Sequence, residues 1–274
     1  MLRLRVLTAI VLLGIAIPVT LYLPPIAFKI MTLIFVMVGF WEWLRLLDLS
    51  AHVSKAWLVV ATILDLLLLP DVTAELANYL RLLWLGAAFF WLIVVIFFLP
   101  RGILALSRPV RHWMALLGLL ILMAAWTALQ TLYKIDLFLL FSVLLVVWVA
   151  DIGAYFAGKR FGRHKLAVTI SPGKTWEGAL GGVILVFVVS ILLANNNDSP
   201  TLAKILIERF GWPGFAIALL GLVAISIVGD LFESQLKRMA GRKDSSHLLP
   251  GHGGVLDRID ALLPVLPLAA LILT

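Results

Sequence analysis

A chain of 274 residues that is 63% hydrophobic and only 14% charged, with a mean hydropathy of +1.10, does not have the composition of a water-soluble globule. Cysteine is absent, which excludes disulfides, a thiolate nucleophile and a cysteine-based zinc site. The net charge of +7 is no argument for nucleic acid, because in a membrane protein excess Lys and Arg line the cytosolic face and meet anionic lipid heads.

Apolar runs long enough to cross roughly 30 Å of hydrocarbon recur along the whole chain. They predict an all-α polytopic membrane protein of about nine spans, at 5–23, 26–44, 56–70, 82–99, 112–130, 137–157, 177–194, 213–233 and 256–273. Arg3 and Arg5 before Val6–Val19 resemble a signal peptide, but no small-x-small cleavage site follows and the run continues to Leu23, so an uncleaved span is expected. Pro24-Pro25, Pro70, Pro100 and 195–200 mark boundaries, and no internal repeat stands out. One transmembrane domain is expected, with packing and lipid-access helices in 1–135 and catalytic helices and cytosolic loops in 136–274.

Charge fixes an orientation. With the N-terminus in the cytosol, 17 of the 22 Lys and Arg residues fall on the cytosolic side, which supports N-inside and C-outside and requires an odd number of spans. Ionisable residues inside spans are costly and face a cavity or a partner. Glu42, Asp65, Asp151, Asp230, Glu233, Asp257 and Asp260 are of this kind. Asp151 on span six, Asp230 and Glu233 on span eight, and Asp257 and Asp260 on span nine all come to one depth near the cytosol, beside two basic loops at 158–176 and 235–255. Asp65 falls in the outer half of span three, away from them. Ser226, Asp230, Glu233 or Ser234, and Lys237 recur at helical spacing and share a face, as do Asp257 and Asp260.

The segment Ser234–Asp260 gathers Lys237, Arg238, Arg242, Lys243 and Arg258 with Asp244, His247 and His252, and places Gly251, Gly253 and Gly254 where backbone can approach a ligand closely. Oxygen ligands without Cys suit a hard cation such as magnesium, bound by one or two carboxylates plus substrate phosphates. Nearby Lys and Arg hold phosphate oxygens. The combination fits metal-assisted nucleotidyl or phosphoryl transfer on a lipid. Other motifs fail. Gly173-Lys174-Thr175 ends like a P-loop, but position 168 is Val168 and no strand context is expected. His247 and His252 match no zinc spacing, and no GxSxG elbow accompanies a serine.

Ser234, Lys237-Arg238, Lys243-Asp244, His252-Gly253-Gly254, Asp257-Arg258 and Asp260 together resemble the signature of the phosphatidate cytidylyltransferases, or CDP-diacylglycerol synthases, of the bacterial type. A second block is similar to the family as well. It comprises Asp151–Tyr155, Gly158, Phe161-Gly162, Lys165-Leu166 and Ile170–Gly178; Gly229-Asp230-Leu231 with Glu233-Ser234 agrees too. The resemblance is strong over about 151–260 and confined to the multi-span character before that. Ile152 departs from it, since a small polar residue is expected there.

The resemblance implies that CTP and phosphatidate react to CDP-diacylglycerol and pyrophosphate. It implies a homodimer at the plasma (inner) membrane, its site on the cytosolic side, using magnesium with or without a potassium ion. On that reading Asp230 and Asp257 ligate the metal, with Asp260, Asp244 and Asp151 as further candidates for ligand or supporting roles. Lys237, Arg238, Lys243, Arg258 and Lys174 hold phosphates; Ser171, Thr175 and Ser234 add hydroxyls; His252, Gly253 and Gly254 line the loop. Two alternatives stay open on the residues alone. One is a CTP-dependent polyprenol or dolichol kinase, and the other an ion- or proton-coupled transporter using Asp65, Asp151 and Asp230.

Overall fold

The computed structural model describes residues 2–68, 74–103, 106–196 and 199–274. It is an all-α polytopic membrane protein with one short β-hairpin. The helices are α1 (Leu2–Tyr22), α2 (Pro25–Leu46), α3 (Ala51–Leu67), α4 (Ala74–Ile93), α5 (Arg108–Ile135), α6 (Leu137–Phe161), α7 (Trp176–Asn196), α8 (Leu202–Met239), α9 (Leu256–Ile259) and α10 (Leu262–Leu273). Among the described residues six segments are long and apolar enough to cross a bilayer: α2, Leu76–Arg101, α5, α6, Trp176–Asn195 and α8. Residues 69 and 70 of the expected third span, and 197–198 of the expected 195–200 boundary, lie outside the described residues.

Helix starts follow local chemistry. Pro25 opens α2, where its missing N–H costs nothing. Ser50, Asp136 and Thr201 cap α3, α6 and α8 by accepting backbone N–H groups of the first turn. Three elements differ from the expectation. The region 158–176 is not a loop: α6 runs on to Phe161, and β1 (Lys165–Ala167) pairs antiparallel with β2 (Ser171–Thr175). The eighth span is longer than expected and kinks at Gly211, whose φ of 66° lies in the left-handed region, two residues before Pro213. The ninth breaks at Asp260–Ala261, because Pro264 has no N–H to give the Asp260 carbonyl.

The core gathers around α5 and α10. α10 packs on α4, α5 and α8, and α2 packs on α5 and α9, so both halves of the chain interlock. Phe232 of α8 lies among Trp43, Phe90, Trp91 and Phe98, at ring-centroid distances of 5.6–6.0 Å. Such pairs contribute about 0.5–1.5 kcal/mol each beyond burial. Gln235 adds a polar tie, donating Nε2 to the carbonyls of Phe98 at 2.8 Å and Gly102 at 2.5 Å. Together they fix the C-terminal part of α8, which carries the charged residues.

α6 and α7 meet along small residues. A Cβ on Gly153 would stand 2.8 Å from the Gly181 carbonyl oxygen, and one on Gly182 2.8 Å from that of Ala150. Without a hydrophobic drive between helices in lipid, such close approach is what dispersion needs to hold them together.

Candidate active site

Four elements converge on a cavity of about 490 Å3: α6, α7, α8 and the hairpin. Its size suits a small-molecule site. Asp151, Ser171, Lys174, Thr175, Ser226 and Asp230 line it. The hairpin is pinned where it leaves α6 and joins α7: Glu177 accepts the backbone N–H groups of Arg163 (3.1 Å) and His164 (3.2 Å) and meets His164 Nδ1 at 2.6 Å. Thr175 is buried and its Oγ1 accepts the Gly178 N–H at 3.1 Å, so it caps α7 as well as lining the cavity. Lys174 is thereby held over α8, where its Nζ pairs with Asp230 Oδ2 at 2.6 Å. Asp230 Oδ1 accepts the Ser234 hydroxyl at 3.3 Å.

Behind Asp230 sits a buried ionic cluster. Lys237 Nζ lies 2.5 Å from Asp257 Oδ1 and also forms an ion pair with Glu233 Oε2. Glu233 Oε1 is buried with no hydrogen-bond partner among the described residues. Asp257 Oδ2 accepts three donors: the Ser245 N–H at 3.0 Å, the Ser245 hydroxyl at 2.8 Å and the Gly254 N–H at 2.7 Å. Asp257 is thus paired with the Lys237 ammonium on one oxygen and with the Ser245 and Gly254 donors on the other. Asp260 Oδ1 accepts the Ala261 N–H at 2.7 Å. A Cβ on Gly229 would lie 2.5 Å from the Asp260 carbonyl oxygen, so glycine is what lets α8 close on the α9–α10 turn.

Charges from α6, α8, α9 and that turn therefore act on one another. Asp151 and Asp260 each face Asp230, Asp260 also faces Glu233, and Glu233 faces Asp257. Lys174, Lys237 and Arg258 oppose these five carboxylates. The donor set is all oxygen, with five carboxylates by formal count against three cations, which fits a hard divalent cation. No group of three His, Asp or Glu among the described residues forms a ready-made cage, so the fit is to a cation completed by substrate phosphates.

Other predicted residues lie elsewhere. Lys243 and Asp244 line a separate cleft of about 370 Å3 with Arg45 and Arg242. Arg238 serves as a brace, donating to the carbonyls of Ile170 (3.5 Å) and Arg242 (3.3 Å). His252 Nδ1 is buried without a hydrogen-bond partner among the described residues. Asp65 is buried in α3 with neither oxygen hydrogen-bonded among them. The loop glycines serve a purpose other than the one expected. A Cβ on Gly253 would stand 2.7 Å from Asp257 Oδ2, and one on Gly254 would overlap Ser245 Oγ and the Glu42 carboxylate. They make room for the protein's own carboxylates. Glu42 and Ser245 are the participants that the sequence pattern left out of the site, and Glu233 was placed in the carboxylate cluster without a role; the signal for Glu42 was a lone carboxylate in an apolar span.

A polytopic helical protein with a lysine- and carboxylate-lined cavity between its spans is built to handle a charged substrate at the edge of a bilayer. The sequence matches the cytidylyltransferase family over residues 3–274, and the chain belongs to that family. It is 38% identical over 286 residues to the phosphatidate cytidylyltransferase of Pseudomonas aeruginosa, covering 100% of this chain and 97% of that one. To the Haemophilus influenzae protein of the same name it is 35% identical over 285 residues, covering 97% and 96%. A shorter match to the Brucella suis phosphatidate cytidylyltransferase is 48% identical over 117 residues, 43% of this chain and 40% of that one.

Proposed function

We infer that this chain is a nucleotidyltransferase that moves the cytidylyl group of CTP onto phosphatidate, giving CDP-diacylglycerol and pyrophosphate for phospholipid biosynthesis. The full-length relatives of that name support the reaction. The observation that carries it to a site is the Lys174–Asp230 pair in a cavity among spans, backed by the Glu233–Lys237–Asp257 cluster.

A phosphate oxygen of phosphatidate forms a bond to the α-phosphorus of CTP. The bond from that phosphorus to the oxygen bridging to the β-phosphate breaks, and its electron pair leaves on pyrophosphate. No general base is needed, because the attacking phosphate is already ionised near neutral pH. Lys174 and Arg258 hold phosphate oxygens, with Ser171, Thr175 and Ser234 offering hydroxyls, and Lys243 and His252 serve the triphosphate from the loop. A magnesium ion held by Asp230 and Asp257, with or without a potassium ion, would neutralise charge on the triphosphate and on leaving pyrophosphate. A cation would compete with Lys237 for Asp257 Oδ1 and with Lys174 for Asp230 Oδ2.

We place the site on the cytosolic side of the plasma (inner) membrane. CTP is cytosolic, and 17 of the 22 basic residues support that orientation for a nine-span, N-inside, C-outside chain. The family resemblance supports a homodimer. A detergent-solubilised mass of one chain would refute that state. The reaction is tested with purified protein, phosphatidate and labelled CTP. Label from the α-phosphate is expected in lipid; label from the γ-phosphate alone would make the protein a lipid kinase instead.

A further inference from the structure

The loop from Gly241 to Val255 has almost no regular structure, yet it must hold Lys243 and His252–Gly254 in register with Asp257. Its own backbone supplies two cross-links, Leu249 N–H to the Gly253 carbonyl at 2.9 Å and His252 N–H to the Leu249 carbonyl at 2.8 Å. Asp257, Arg238 and Thr8 add contacts to Ser245 and Gly254, to the Arg242 carbonyl and to the Pro250 carbonyl, and a further restraint comes from a residue some two hundred positions away. Glu42 of α2 is fully buried. Its Oε2 accepts the Ser245 hydroxyl at 3.0 Å and the Leu256 N–H at 2.6 Å. Its Oε1 accepts the Ser246 hydroxyl and, at 3.1 Å, the Val255 N–H. Two of the four donors precede the loop's tip and two follow it, so one carboxylate ties both ends.

The clamp is anchored on both sides. α2 is fixed next door by Trp43, whose Nε1 donates to the Met114 carbonyl at 2.9 Å. On the other side Ser245 Oγ sits between Glu42 Oε2 at 3.0 Å and Asp257 Oδ2 at 2.8 Å. Two carboxylates thus share one serine, and moving Glu42 moves the donors that aim Asp257.

We propose that Glu42 is a positioning residue for the transfer reaction: it sets the loop and Asp257 in register, making α2 part of the catalytic unit. It touches no substrate. The proposal rests on the reading of this loop as the triphosphate holder, and the two can fail separately.

Glu42→Gln is the test, because an amide turns two of the four acceptor positions into donors that face donors. The expected loss in kcat/KM for CTP is about 10- to 100-fold, as for other residues that orient a site from behind. KM for phosphatidate is expected to stay at the wild-type value, with faster hydrogen exchange at the Ser245–Leu256 amides. Glu42→Asp, which keeps both oxygens, should recover part of the activity. Ser246→Ala removes one donor and folds more safely; its loss should be smaller, and adding it to Glu42→Gln should cost less than the product of the two. Wild-type exchange and turnover in Glu42→Gln overturns the proposal. So does a loss in Ser246→Ala and Glu42→Gln that multiplies and only tracks the folded fraction. If Lys243→Ala leaves CTP dependence unchanged while Glu42→Gln still lowers turnover and loosens the loop, the triphosphate reading of the loop fails and the positioning of Asp257 stands.

Discussion

Removing the Lys237 charge tests the ionic cluster most directly. Its side chain is 11% exposed and bridges the Glu233 and Asp257 carboxylates, which are 2% and 5% exposed. Lys237→Met keeps most of the apolar stem and leaves two buried carboxylates facing each other without a cation. Deleting one partner of a buried ionic pair costs about 3–5 kcal/mol. For a chain of this size that lowers the thermal unfolding midpoint by on the order of 10 °C. Asp257 retains its three donors from Ser245 and Gly254, whereas Glu233 has no second partner among the described residues. The larger share of the loss therefore belongs to Glu233, and Glu233→Gln added to Lys237→Met should restore more than half of the midpoint. Thermal unfolding in detergent, read with the transfer of α-phosphate label to lipid, measures both effects. An unchanged midpoint in Lys237→Met, or a double variant no more stable than the single one, would refute the assignment of Lys237 as the cluster's cation.

Asp230→Asn should abolish turnover while expression and unfolding midpoint stay near wild type; near-normal activity would remove Asp230 from the metal and phosphate site. Gly229→Ala drives a methyl to 2.5 Å from the Asp260 carbonyl oxygen and 2.9 Å from Pro264, so it should destabilise by about 1–3 kcal/mol and lower turnover. Gly221→Ala on the same helix meets nothing within 4 Å and should be neutral or stabilising by up to about 1 kcal/mol in unfolding assays.

The parts of the site that follow a helical period were legible from residue order. Ser226, Asp230, Ser234 and Lys237 had to share a face of α8 once the span was recognised, and Asp151 and Lys174 had to flank it. The hairpin was hidden because β1 is only three residues long, the apolar Val168 and Ile170 fall in its turn, and Pro172-Gly173, which reads as a turn, lies inside β2. The α9–α10 break could have been read from Pro264, which removes the N–H that Asp260 would need. Glu42 could not be placed at all. Its partners lie 203 to 214 positions away, and a lone carboxylate in an apolar helix says only that something must satisfy it. The glycines of 253 and 254 misled for the same reason: close approach was right, but what approaches is a carboxylate of the protein itself.

The glycine seam between α6 and α7 also governs traffic. Ala150, Ala154, Gly158, Gly178 and Gly182 form the cavity wall along that seam, and backbone carbonyl oxygens fill the space where side chains would otherwise part. A hydrocarbon tail about 4 Å thick finds no passage there, since even a methyl group is too large. A lipid whose phosphate reaches Lys174 must therefore trail its acyl chains past α8 or beneath the hairpin. On the proposed reaction, α8 and the hairpin are then the cavity walls left to meet lipid tails, while the α6–α7 wall stays closed to them.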